Sequence, residues 1–129
     1  MQNDSDDVIA VVSAVTVEAL KNMLKILNNF YSGGGDPGGQ MEKDVSAINS
    51  AIIKLEKMGE KFSLEECRVI YWALGDFRDL ISQMLDAEKD QASKDVFIED
   101  SRKVNAVMRF WRQFLTSSEE GRAVLELFA

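Results

Sequence analysis

Apolar residues recur at spacings of three and four along four segments of this 129-residue chain. That period aligns side chains on one face of an α-helix. The second segment shows it most cleanly, with Met41, Val45, Ile48, Ile52 and Leu55 on one side and Phe62 following in register. The third repeats it with Cys67, Ile70, Leu74, Phe77, Ile81 and Met84, and the fourth spreads Phe97, Val104, Val107, Met108, Phe110, Trp111, Phe114 and Leu115 over a wide arc. The first segment is apolar nearly all round from Val8 to Val17. A helix coated in this way is either central in its bundle or laid against another copy of the chain. Strand-like alternation and internal repeats are both missing.

Capping signals place the boundaries. The first helix is predicted to start after Ser5, with Asp6 and Asp7 at the positive end of its dipole, and to run to about Tyr31. The glycine-rich stretch 33–39 then reads as a flexible loop. A second helix covers Gln40 to Met58, ended by a left-handed cap at Gly59. Ser63 and Glu66 have the capping-box spacing and open a third helix that extends to about Lys89. A fourth is expected from Ser93 to about Leu115, with Arg109 and Arg112 toward its end, and Ser118 opens a short fifth carrying Val124, Leu125, Leu127 and Phe128. Short links after the second and third helices make neighbours antiparallel. The expected fold is therefore an all-α, antiparallel up-and-down bundle of four long helices plus a short C-terminal helix, one domain over residues 1–129.

Composition narrows the setting. An apolar share of 46% with 29% charged residues fits a folded domain of this length. The apolar run near the amino terminus follows Asp4, Asp6 and Asp7 rather than a basic leader, and Ser13, Thr16 and Glu18 interrupt it. It reads as a core helix rather than a signal peptide or a membrane span. A net charge of -7 works against nonspecific binding to nucleic acid or anionic membranes. Cys67 is the only cysteine and lies on an apolar stripe, so it reads as a small buried hydrophobe in a reducing cytoplasm, of the producing cell or of a host.

The chain contains no histidine, which removes Ser-His-Asp and Cys-His catalysis and the histidine-bearing zinc and di-iron motifs. The glycine run lacks the Lys-Ser/Thr of a P-loop. No catalytic residue, metal site or cofactor is assigned. Asp76 and Asp79 share a helical face with Glu65 and could hold magnesium only with further acids from a facing helix; solvated charge is the simpler reading.

Two irregularities point to protein contacts. Trp72 falls opposite the core stripe of its helix, beside Asp76 and Asp79, where a tryptophan serves as a partner anchor unless another helix covers it. Arg102, Arg109 and Arg112 form a ridge opposite the apolar arc of the fourth helix, free to meet a partner or to pair with the acidic face of the third. Asp100 and Lys103 point into that apolar arc. The resulting expectation is a non-catalytic protein-binding adaptor or inhibitor that uses Trp72, Asp76, Asp79, Arg102, Arg109 and Arg112 against a partner of basic character, an acidic antagonist of a host or nucleic-acid-binding protein included. The alternatives are self-association through the first helix, making a homodimer, and a magnesium-dependent hydrolase using Asp and Glu ligands. Direct nucleic-acid and membrane binding are not expected.

Overall fold

The computed structural model describes residues 3–34, 39–57 and 61–128, with side chains described from Ala10 to Asn29 in the first helix. It contains five helices: α1 (Asn3–Gly34), α2 (Gln40–Lys57), α3 (Leu64–Ala87), α4 (Gln91–Thr116) and α5 (Glu119–Glu126). Among the described residues there is no strand. The all-α bundle expected from the spacing of apolar residues is the fold.

Ser63 and Glu66 form the capping box. The Ser63 hydroxyl accepts from the Glu66 N–H at 3.1 Å, and the Glu66 carboxylate accepts from the Ser63 N–H at 2.6 Å. α4 begins earlier than expected, because Asp90 rather than Ser93 is its cap and accepts from both the N–H and the hydroxyl of Ser93 at 3.0 Å. Aspartate caps as well as serine does, so the upstream candidate takes the position. α1 continues through Ser32, Gly33 and Gly34, three residues beyond its expected end. Each glycine costs about 1 kcal/mol there, but extending an existing helix adds a hydrogen bond for each residue fixed. Positions 35–38 of the expected loop, and Gly59 with its expected cap, lie outside the described residues. The last turn of α4 carries no base; instead Arg122 of α5 donates to the Thr116 carbonyl at 2.9 Å, serving one of the open carbonyls at that helix end.

Among the described residues α3 is the hub and touches all four other helices, whereas α2 meets only α1 and α3. α3 and α4 run antiparallel: Tyr71 meets Arg112, and further along α3 Arg78 meets Met108, which is earlier on α4. One apolar cluster draws on every helix, including Leu20 and Met23 of α1, Ile48 and Leu55 of α2, Ile70 and Leu74 of α3, Val107 and Trp111 of α4, and Val124 of α5. The arc predicted on α4 is wider than its neighbours can cover. Phe110 and Phe114 stay exposed and stand edge-on to the buried Trp111 ring, at centroid distances of 5.9 and 5.6 Å. Edge-to-face geometry of this kind stabilises the pair while leaving the outer edge in water.

Candidate functional site

The six residues expected to meet a partner lie on two helices, Trp72, Asp76 and Asp79 on α3 and Arg102, Arg109 and Arg112 on α4. Trp72 is half-buried and packs against the core, and its neighbour Val69 is fully buried. Asp76 is also half-buried; burial and then the nearby charge of Asp79 push its carboxyl above the usual range. Asp79 is exposed and pairs with Arg78 at 3.4 Å. Arg102 is exposed and reaches Glu99 on its own helix at 3.7 Å. Arg112 leaves the ridge altogether. Its guanidinium donates to the hydroxyl of the buried Tyr71 at 2.9 and 3.3 Å, and Tyr71 stands edge-on to Phe128 beyond α5. Arg109 is exposed and, like Arg112, makes no ion pair among the described residues. The arginines therefore do not pair with the acidic face of α3.

Two acids, Asp44 and Glu66, are buried where α2 packs on α3, a contact that helical spacing does not specify. Asp44 of α2 receives a hydrogen bond from Arg68 of α3 at 2.5 Å and another from Gln40 at 3.0 Å. Glu66 of α3 pairs with Lys54 at 2.7 Å and accepts from the Ser50 hydroxyl at 2.5 Å. Burial alone would raise the Glu66 pKa. Lys54, Ser50 and the Ser63 cap outweigh that and hold it at about 2. Lys54 also donates to the Lys61 carbonyl at 2.8 Å. Every member of this network has partners, so it fixes how α2 lies on α3.

The apolar coat of α1 is only partly absorbed by the core. Val12, Leu20, Met23 and Leu27 are buried and Val15 and Val17 half-buried, but Val11 is 47% exposed. Val11, Ala14, Val15 and Glu18 form one wall of an open groove of about 500 Å³. The other walls come from the second half of α3 (Phe77, Leu80, Ile81, Met84) and the first half of α4 (Phe97, Asp100, Lys103, Val104). Leu80 and Met84 are 36% and 41% exposed. Asp100 and Lys103, which the helical pattern turned toward the apolar arc, line this groove and make no ion pair with each other.

Among the described residues no three acid or thiol groups converge as a metal ion would require. Cys67 is buried; desolvation and then the charge of Glu66 push its thiol up to about 11. No helix among the described residues is long and apolar enough to cross a membrane. No family model, curated protein or solved structure matches the chain.

Proposed function

We propose that the chain is a non-catalytic protein-binding module, an adaptor or inhibitor, whose contact surface is the groove between α1, α3 and α4. The observation that carries this reading is the convergence of three exposed apolar side chains, Val11, Leu80 and Met84, on one depression. Single exposed apolar residues are ordinary on any protein surface, but a contiguous set around a concavity is the mark of a contact surface. A preformed wall of three helices also loses little freedom on binding. The exposed arginines Arg102 and Arg109 lie outside the groove and take a secondary place in this reading.

The test compares what copurifies with the tagged wild-type chain, with Val11→Glu/Met84→Glu and with Arg102→Ala/Arg109→Ala. The groove variant is expected to lose the specific partner and the arginine variant to keep it. A groove variant that retains the same partner at the same yield would overturn the reading.

A further inference from the structure

We infer that the groove is built to seat an amphipathic helix of another protein whose apolar face is flanked by lysine and arginine. This rests on the groove being the contact surface. Its α1 wall runs from Val11 to Glu18, about 10 Å or two helical turns. That length matches the anchor spacing of i, i+4 and i+7 by which an amphipathic helix enters an apolar groove. The volume of about 500 Å³ accepts a few large apolar side chains.

The charge distribution specifies the flanks. The charged residues that line the groove are Glu18, Asp100 and Lys103, two acids and one base. At its rim, Glu18 and Asp100 are engaged in no ion pair among the described residues, so both carboxylates are available to an incoming cation. Complementary charge of this kind steers a partner and fixes its register.

The experiment uses the full chain and three model peptides of about 18 residues. Each is an idealised helix with leucine on one face and lysine, glutamine or glutamate on the other. Calorimetric titration is expected to show the lysine peptide binding at least tenfold tighter than the glutamate peptide, with the preference shrinking as salt rises. Val11→Asp/Met84→Asp should abolish binding, with folding checked by its thermal melt. Glu18→Lys/Asp100→Lys, which keeps the apolar walls, should remove or reverse the preference for lysine. Equal binding of all three peptides, still abolished by Val11→Asp/Met84→Asp, would overturn the basic occupant and leave the groove as a contact surface. Binding indifferent to Val11 and Met84 would overturn both. A wild-type chain that sediments as a dimer, and as a monomer once Val11 and Met84 are replaced, would overturn the inference in favour of a second copy.

Discussion

The indole N–H of Trp111 donates to the hydroxyl of Thr16 at 3.0 Å, joining α4 to α1 across 95 residues of sequence. The same hydroxyl donates to the Val12 carbonyl at 2.6 Å. Thr16 is fully buried and Trp111 nearly so, and Phe62, Phe110 and Phe114 stand edge-on around the indole. An apolar core offers the indole no other acceptor, so this one bond sets how the ring enters the bundle. Thr16→Val keeps the shape and strands a buried donor. It is expected to cost about 1–3 kcal/mol. Thr16→Ser keeps the hydroxyl and loses one methyl, at about 0.8 kcal/mol. Urea denaturation of both distinguishes the terms, and equal midpoints would show that the hydrogen bond contributes nothing.

Glu66 makes the α2–α3 contact sensitive to acid. Its carboxyl titrates at about 2 in the folded chain, against 4.5 when unperturbed. The folded value is depressed, so the contribution is fully present above pH 4.5 and is lost as pH falls toward 2. The whole effect is about 3 kcal/mol by linkage. Glu66→Gln is expected to flatten the pH dependence of stability across that window and to lower stability at pH 7. Denaturant melts at a series of pH values would show this; an unchanged acid limb would separate Glu66 from the effect.

Cys67 tests the reading of a thiol as packing. It lies on the α3 core stripe and its thiol is held at about 11, so hardly any thiolate exists at neutral pH. A thiol reagent such as an aromatic disulfide is expected to label the folded chain only at the rate of its opening and to label it at once in denaturant. Rapid labelling of the native chain would place the sulfur at an accessible surface.

How much of this was legible depended on whether a residue's partner was local. Cys67, Ile70, Leu74 and Ile81 of the α3 stripe are buried as the period requires, because any neighbouring helix will cover them, and Phe77 is half-buried at the groove. The Ser63–Glu66 cap was legible because its two members lie three residues apart. Arg68 and Asp44 are separated by 24 residues, and Arg112 and Tyr71 by 41. Those pairs depend on the crossing of two helices, which a helical wheel does not contain, so neither the Asp44–Arg68 pair nor the Arg112–Tyr71 contact is legible in the sequence. The groove was half legible. The excess apolar coat of α1 and the inward turn of Asp100 and Lys103 both signalled an unfinished face, but not that they share it.

Two glycines make opposite predictions from the same substitution. A Cβ on Gly121, in the first turns of α5, would sit 2.0 Å from the backbone oxygen of Leu115. Backbone at a helix junction cannot swing aside as a side chain can, so α5 must lift from α4. Lifting weakens the burial of Val124 and the Phe128–Tyr71 contact. Gly121→Ala is expected to cost about 2 kcal/mol despite alanine's better helix propensity. Gly75, mid-way along α3, has nothing within 4 Å of the same added atom. There propensity and the restricted unfolded chain act alone, and Gly75→Ala is expected to stabilise by about 0.5–1 kcal/mol. Thermal melts of the two variants should move in opposite directions from the wild type. A rise for both would mean that α5 is not seated against Leu115, and a fall for both would mean that α3 is closely approached at Gly75.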